Sequence, residues 1–304
     1  MAFKDIIGQE VPKKRLQAQI LDNRIGTSYL FYGKEGVGKT LTAKTFAKAI
    51  NCEQKQNKGD ACDTCLTCKG IDGAHNPDFI SILPNEKGNI GIDELRKIKE
   101  SVSYRTNWLK FRTIIVKDAD TLTEEAANAF LKILEEVPKQ TIFILTTSKI
   151  DAILSTIRSR CYQIEFRRLV EEEIKKLIPE ISDWALQMAN GSVTRGLKLM
   201  SRSMQEIRNI AIQFLTSSPI NRIQMVAKLK ETEEFLLLLQ ELYMDLTRKR
   251  CGIPIKNNDL SINHREINIL DTLKAITICE KAYYAISYNV PKEFMLHWIA
   301  KELP

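Results

Sequence analysis

Short apolar runs and helix-period patterns alternate along the first half of the chain. Tyr29-Leu30-Phe31-Tyr32 is a continuous apolar run closed by Gly33, the pattern of a strand buried on both faces. Residues 40–50 then carry Leu41, Ala43, Phe46, Ala47 and Ile50 at helical spacing. Phe79-Ile80-Ser81-Ile82-Leu83, stopped by Pro84, predicts a second strand. Thr113-Ile114-Ile115-Val116, Ile142-Phe143-Ile144-Leu145 and residues 162–166 predict three more. Asp93-Glu94-Leu95-Arg96-Lys97-Ile98 predicts a helix start with Asp93 as its N-cap. Residues 123–136 repeat apolar positions every three or four residues, at Ala127, Phe130, Leu131 and Leu134. Continuous apolar strands alternating with helices predict a parallel sheet with helices on both faces.

After Phe166 the strand-like runs largely disappear. Residues 171–177 and 184–189 predict short helices, and Gly191-Ser192 leads into another bearing Leu197, Leu199 and Met200. From Gln205 onward the pattern is amphipathic helix. Ile207, Ile210, Ala211, Phe214 and Leu215 make one face; Phe235, Leu238, Leu239, Leu242 and Leu246 make the next. Ile267, Leu270, Ile278, Ala282 and Ile286 are expected on a later long helix. Pro254, Asn257-Asn258-Asp259 and Pro291 punctuate loops. The expected fold class is α/β followed by all-α. The expected domains are 1–166, carrying an insert at 52–68, then a small helical domain at 167–204 and a helical domain at 205–304.

Composition narrows the class without deciding function. The chain has 304 residues, 44% apolar and 27% charged, values typical of globular proteins. It contains no run of about 18 apolar residues, so no membrane span is expected. The segment Met1-Ala2-Phe3-Lys4-Asp5-Ile6-Ile7-Gly8 lacks the apolar stretch of a secretory signal, and a cytoplasmic location is expected. A formal charge of +7 suits a nucleic-acid partner, and equally a solvated, lysine-rich surface.

The strongest chemical signal is Gly33-Lys34-Glu35-Gly36-Val37-Gly38-Lys39-Thr40. A Gly-x4-Gly-Lys-Thr loop lets backbone N–H groups converge on phosphate without Cβ obstruction. Lys39 would reach the β- and γ-phosphates of ATP, and Thr40 would offer its hydroxyl to Mg²⁺. The loop lies between a predicted strand and a predicted helix, as the motif requires.

Cys52, Cys62, Cys65 and Cys68 form two overlapping C-x2-C pairs with a fourth thiol upstream. Four thiolates are the set that structural Zn²⁺ takes, with an iron–sulfur cluster as the alternative. The neighbours Lys55, Asn57, Lys58, Asp60, Asp63, Thr64 and Lys69 are polar, so no core is expected around the thiols and the metal would organise the segment. His75 reads as a loop residue. Cys161, Cys251 and Cys279 read as core or isolated thiols.

A second nucleotide motif should be an apolar strand ending in Asp for Mg²⁺ and then Glu to orient water. Here Thr113-Ile114-Ile115-Val116 is followed by Lys117-Asp118-Ala119-Asp120. If the strand end sets the register, Lys117 takes the metal carboxylate's position and Asp118 the water-orienting one. The other register makes Asp118 the metal carboxylate, buries Lys117 and leaves Ala119 in the catalytic position. Either way one carboxylate is missing, and weak hydrolysis is expected. Finally, Ser155-Thr156-Ile157-Arg158-Ser159-Arg160-Cys161 offers an arginine that could reach a neighbouring subunit's γ-phosphate; a surface arginine pair is the plainer reading.

These segments together resemble a known family. Phe3-Lys4-Asp5-Ile6-Ile7-Gly8-Gln9, Ser28-Tyr29-Leu30-Phe31, the phosphate loop, the cysteine insert, Ala126-Ala127-Asn128-Ala129-Phe130-Leu131-Lys132-Ile133-Leu134-Glu135-Glu136 and Thr156-Ile157-Arg158-Ser159-Arg160-Cys161 look like the AAA+ clamp-loader subunits of bacterial DNA polymerase III. The resemblance is dense over residues 1–200. It implies an AAA+ domain, a helical lid and a helical collar. It implies partnership with gamma/tau and delta subunits, a sliding clamp and, through the complex, primer–template DNA. The incomplete second motif fits the delta-prime type better than the gamma/tau motor, as does Thr194 where the motors place a sensor arginine, with Arg195 one position on. The resemblance carries Arg160 over as a finger for a neighbouring ATP site. A gamma/tau-type motor is the alternative. A zinc-knuckle nucleic-acid binder with a vestigial loop is a further one, disfavoured because the knuckle lacks aromatic residues to stack on bases.

Overall fold

Each predicted apolar run in the first half is a strand of one parallel sheet. The computed structural model describes residues 1–54, 59–73, 76–96, 108–227, 229, 231–257 and 268–304. The strands are β1 (Ser28–Gly33), β2 (Phe79–Ile82), β3 (Arg112–Val116), β4 (Thr141–Thr147) and β5 (Tyr162–Phe166). Their order is β2-β3-β4-β1-β5, with every pairing parallel. β1 is therefore flanked by β4 and β5, pairing Tyr29 with Ile144 on one side and with Tyr162 on the other.

Side chains alternate between the two faces of the sheet. Tyr29, Phe31, Ile115, Ile144 and Ile164 pack on one face with Leu16, Ala43, Phe46 and Ile50. Those partners come from α1 (Glu10–Leu21) and α2 (Lys39–Asn51). The Tyr29 and Phe46 rings meet edge to face at 5.1 Å. Leu30, Ile114, Val116, Phe143 and Leu145 face the other way, against Phe130, Leu134 and Ile157. A short helix in the cysteine insert, α3 (Leu66–Asp72), precedes β2, and α4 (Glu124–Glu135) covers the second face. Thr123 caps α4, its Oγ1 accepting from the Ala126 amide at 3.2 Å. A single helical turn, α5 (Ser155–Arg158), leads into β5.

One helix start differs from expectation. The helix begins at Ile92, so Asp93 lies inside it and Gly91 takes the cap position. The Glu94 carboxylate accepts from the Gly91 amide at 2.9 Å. That is half of a capping box, in which the third helical residue reaches back to the cap amide. Asp93 instead pairs along the helix with Arg96 at 2.9 Å. Lys97 and Ile98, expected in the same helix, lie outside the described residues, as do Lys55, Asn57, Lys58, His75, Asn258, Asp259 and Ile267.

The chain divides into two compact units: Met1–Leu177 with Gly191–Thr194, and Ile178–Asn190 with Arg195–Pro304. The first unit ends its main stretch with α6 (Glu171–Leu177); α7 (Asp183–Ala189) lies in the second, and α8 (Val193–Leu199) starts in the first. The second unit continues with α9 (Arg202–Thr216), α10 (Pro219–Val226), α11 (Thr232–Arg250), α12 (Ile269–Ser287) and α13 (Lys292–Glu302). The expected faces of α9 and α11 are buried, with Ile210 partly so. The face of α12 is the expected one at Ala282 and Ile286 but not toward its start. Leu270 is 64% exposed and Ile278 is half-buried, whereas Thr272, Ala275, Cys279, Ala282 and Ile286 are buried. Small side chains let α12 lie close to α11, and Thr247 and Thr272 hydroxyls meet across them at 2.8 Å. A stripe of small residues is poorly visible to a reading that follows large apolar ones. The buried Arg222 donates to Phe214 O at 2.9 Å and Leu303 O at 2.6 Å, satisfying carbonyls at the ends of α9 and α13. Among the described residues no helix is long and apolar enough to cross a membrane.

The start of β3 is fixed by a buried ion pair. Asp78 and Arg112 are 2% and 5% exposed. Asp78 accepts from Arg112 Nη2 at 2.9 Å and from the Trp108 and Leu109 amides at 2.9 and 3.2 Å. Burial works to raise its pKa, but the Trp108 amide, Arg112 and the Leu109 amide outweigh it and hold the carboxyl below its ordinary range. A depressed carboxyl pKa stabilises the fold above the unfolded value of about 3.9, and that stability is lost as pH falls through the folded value. Asp78→Ala is expected to cost about 3–5 kcal/mol at neutral pH in urea unfolding, because it removes the carboxylate from a buried ion pair and leaves the guanidinium charge in place. The difference from the wild type should shrink below about pH 4; a pH-independent difference would contradict the assignment.

Candidate functional site

The phosphate loop runs from the end of β1 into α2, and close packing shapes it. Gly33, Gly36 and Gly38 have φ of 142°, 74° and 97°, in the region that favours glycine. A Cβ on Gly33 would lie 2.2 Å from Phe166 O, and one on Gly36 would lie 2.3 Å from Ser192 Oγ. Val193 N donates to Gly36 O at 3.0 Å. Gln9, only 1% exposed, clamps the loop from the far side. Its Nε2 donates to Val37 O at 3.2 Å and Arg167 O at 2.7 Å, while its Oε1 accepts from Arg167 N at 3.1 Å. Gln9 has no recognisable signal in the sequence beyond its place in the family-like opening segment. Nothing local announces a side chain that bridges residues 28 and 158 positions away.

Lys39 is 7% exposed, and its Nζ donates to Gly33 O and Lys34 O, each at 2.7 Å. Desolvation lowers its pKa, against the pull of the Asp118, Glu35 and Asp120 carboxylates. A cavity of about 480 Å³ opens beside the loop, bordered by Lys39, Thr40, Lys117, Asp118, Thr146 and Thr194. Thr194, not an arginine, thus stands against the loop.

The end of β3 brings Lys117 and Asp118 to the same cavity by different routes. Lys117 N donates to Ile82 O at 3.0 Å, so sheet pairing extends to it. Asp118 then leaves the strand in the left-handed conformation (φ 48°, ψ 52°), its amide donating to Thr146 Oγ1 at 3.3 Å. Lys117 is half-buried rather than buried, because the strand ends at Val116. Ala119 is 2% exposed and carries no chemistry. Burial raises the Asp118 pKa, Asp120 and Glu35 add to the rise, and Lys39 and Lys117 oppose it. Asp120 is engaged elsewhere, accepting from Thr147 Oγ1 at 2.6 Å.

The four clustered cysteines converge. Their sulfurs all lie within 4.8 Å of one another. A tetrahedral zinc with bonds of about 2.3 Å sets sulfur–sulfur edges of about 3.8 Å; the Cys62 and Cys68 sulfurs are 3.9 Å apart. The Cys65 amide donates to Cys62 Sγ at 3.3 Å, and the Cys68 amide to Cys65 Sγ at 3.4 Å. The cluster fits a thiolate-bound metal such as zinc, closed by four protein ligands. The surroundings are not purely polar, as the sequence led one to expect: Cys65 and Cys68 are buried against Ala2 and Ala61. The main chain supplies this small core by folding residues 2–4 over the insert. Asp60 accepts from Phe3 N at 2.7 Å and Lys4 N at 3.2 Å. Lys48 of α2, 1% exposed, pairs with Asp63 and Asp72 from below. Desolvation opposes its charge, but those partners and the terminal amine outweigh it and hold Lys48 above the ordinary range. Cys62, although desolvation opposes it, is drawn down to about 6 by hydrogen bonds from Thr64 and Cys65, while burial pushes Cys68 up.

Arg160 stands apart from all of this. It follows α5 and precedes β5, and it does not border the cavity of its own loop. Its Nη1 donates to Thr156 O at 3.0 Å and its Nη2 to Glu135 Oε1 at 2.8 Å, with the side chain 38% exposed. Arg158 lies 3.8 Å from Asp151.

The sheet order, with a phosphate loop after an inner strand and helices beyond, defines an AAA+ type of P-loop protein. The chain belongs to the DNA polymerase III delta-subunit family, a clamp-loader family: the profile described as "DNA polymerase III, delta subunit" matches residues 8–170. It is 38% identical over 192 residues to DNA polymerase III subunit tau of Bacillus subtilis (strain 168), covering 63% of this chain and 34% of tau. It is 31% identical over 220 residues to DNA polymerase III subunit gamma of Buchnera aphidicola subsp. Schizaphis graminum, covering 68% of this chain and 60% of gamma. The chain thus matches about a third of the tau length. A DNA polymerase III gamma subunit-related protein from Thermotoga maritima has the same fold, with a TM-score of 0.55 at 19% identity over 94% of this chain and 96% of that one.

The cysteine geometry predicts one zinc per chain by elemental analysis of purified protein. Cys68→Ser should lose the zinc and speed amide exchange across residues 60–72, while the strands of the sheet keep their protection. Metal-free protein with unchanged protection in Cys68→Ser would remove the zinc assignment.

Proposed function

We propose that this chain is a delta-prime-type subunit of the DNA polymerase III clamp loader. It holds nucleotide in the Gly33–Thr40 loop without appreciable hydrolysis and lends Arg160 to the ATP site of a neighbouring motor subunit. The observation that carries this reading is Lys117. It borders the phosphate-loop cavity from the end of β3, where an active site needs a metal-binding carboxylate. Asp118 alone cannot both hold Mg²⁺ and orient water.

The position of Arg160 supports the second half. The phosphate loop follows β1 and Asp118 follows β3, whereas Arg160 precedes β5. In the paired register Tyr162 lies beside Tyr29 and Phe166 beside Gly33. The length of β5, about 13 Å at 3.3 Å per residue, therefore separates Arg160 from the level of its own loop. Such an arginine serves another subunit's site rather than its own. Its exposed pair with Glu135 is a weak restraint, worth about 0–1 kcal/mol. The partners on this reading are gamma/tau and delta subunits, a sliding clamp and, through the complex, primed DNA. Residues 167–204 would form the lid and 205–304 the collar that joins subunits.

A motor role is the second reading, and the relatives' names, tau and gamma, favour it. It requires Asp118 to suffice as the one carboxylate. Steady-state ATP turnover separates the two. The purified chain, with clamp and primed DNA, is expected to turn over at least about 10²-fold more slowly than the gamma/tau subunit. Comparable turnover would overturn the first reading. In the reassembled complex, Arg160→Ala should slow the site that receives it by about 10³-fold or more, while Arg158→Ala leaves it unchanged. Full activity with Arg160→Ala would end the finger role.

A further inference from the structure

The alternation along β3 decides which way Lys117 points. Ile115 packs with Ala43 and Phe46 of α2, while Ile114 and Val116 pack on the opposite face of the sheet. Pairing continues through the Lys117 amide, so the two-residue period puts Lys117 on the α2 face, over the phosphate loop. The cavity therefore carries two ammonium groups, Lys39 and Lys117, beside the carboxylates of Asp5, Glu35 and Asp118.

Magnesium is the ion that this fold implies, and the residues do not fit it. Mg²⁺ demands an octahedron of hard oxygens, usually including one or two carboxylates. An ammonium offers three donors and no lone pair. A metal seated between Thr40 and Asp118 would share the cavity with two positive charges. Phosphate oxygens want the reverse: N–H donors and positive charge, which the loop amides, Lys39 and Lys117 supply. Lys39 already stands inside the loop, held by Gly33 O and Lys34 O.

We infer that the phosphate loop binds a nucleoside polyphosphate without magnesium, with Lys117 in the place of the metal. The inference rests on the reading that the loop holds nucleotide, and it gives that reading a mechanism. The α- to γ-phosphates keep a counter-charge, so affinity survives. The counter-charge is an ammonium that cannot ligate and polarise a γ-phosphate oxygen as a metal does, so bond cleavage is not promoted.

The test is calorimetric titration of the full chain with ATP and with ADP, in magnesium-containing buffer and in buffer freed of magnesium by chelating resin. A soluble chelator is avoided because it would also strip the cysteine cluster. Wild-type affinities should agree within about threefold between the two buffers. Lys117→Asp should bind at least about tenfold more tightly with magnesium than without it. Lys117→Met should lose about tenfold in both. Retained zinc and an unchanged thermal transition establish that the variants are folded; should Lys117→Asp fail to fold, the wild type and Lys117→Met carry the test. Wild-type binding that vanishes without magnesium, or Lys117→Met that binds as the wild type does, overturns the inference alone. Absence of binding in both buffers overturns it together with the static-nucleotide half of the proposed function, and leaves Arg160 to its own assay.

Discussion

The close approach of β1 to β5 at Gly33 is the constraint on which the first unit depends. With β4 on its other side, β1 has no free edge. Where it ends, a Cβ at Gly33 would meet the Phe166 carbonyl at 2.2 Å, so the chain turns away at once into the loop. Gln9 and Val193 then hold the loop by Val37 O and Gly36 O. Packing against β5 and these two hydrogen bonds define the shape of the loop. Gly33 and Gly36 are thus required for packing as well as for phosphate, and an intact loop is compatible with an incomplete catalytic site.

Electrostatics decides what such a site can do. Two unit charges about 4 Å apart interact by roughly 4 kcal/mol at the effective dielectric near a protein surface. Replacing a carboxylate by Lys117 reverses the sign of that interaction for any cation in the cavity. The change is large compared with what a single hydrogen bond contributes, about 1 kcal/mol. Of the acids that follow β3, Asp118 has its charge opposed by desolvation and by Asp120, and Asp120 is tied to Thr147; Asp5 and Glu35 border the cavity from other elements. For a phosphate oxygen the Lys117 contribution has the opposite, attractive sign.

The parts of this molecule that were legible in the sequence are those with local causes. Continuous apolar runs marked the three inner strands β1, β3 and β4, because a strand buried on both faces needs no partner information to be seen. The phosphate loop and the cysteine spacing are likewise set by short-range geometry. What was not legible depends on tertiary placement. Asp93 and Gly91 compete for one cap, and Glu94 settles the matter by reaching back to Gly91. The buried stripe of α12 runs through Thr272, Ala275 and Cys279 because α11 lies close. The thiols of Cys65 and Cys68 acquire a core from Ala2, far away in sequence. Lys117 left two registers open until the faces of Ile114, Ile115 and Val116 were known.

Sheet polarity links the two halves of the proposed role. In an all-parallel sheet, residues that follow strands gather at one end and residues that precede strands at the other. The phosphate loop, Lys117 and Asp118 lie at the first end, and Arg160 at the second. On the proposed reading the first end would receive a neighbour's arginine and the second would donate one. The contacts of Arg160 depend on α5, on Thr156 O and on Glu135, none of which borders the cavity of the phosphate loop. A change at Lys117 therefore leaves the surroundings of Arg160 intact, and the two halves of the proposed role are structurally separable.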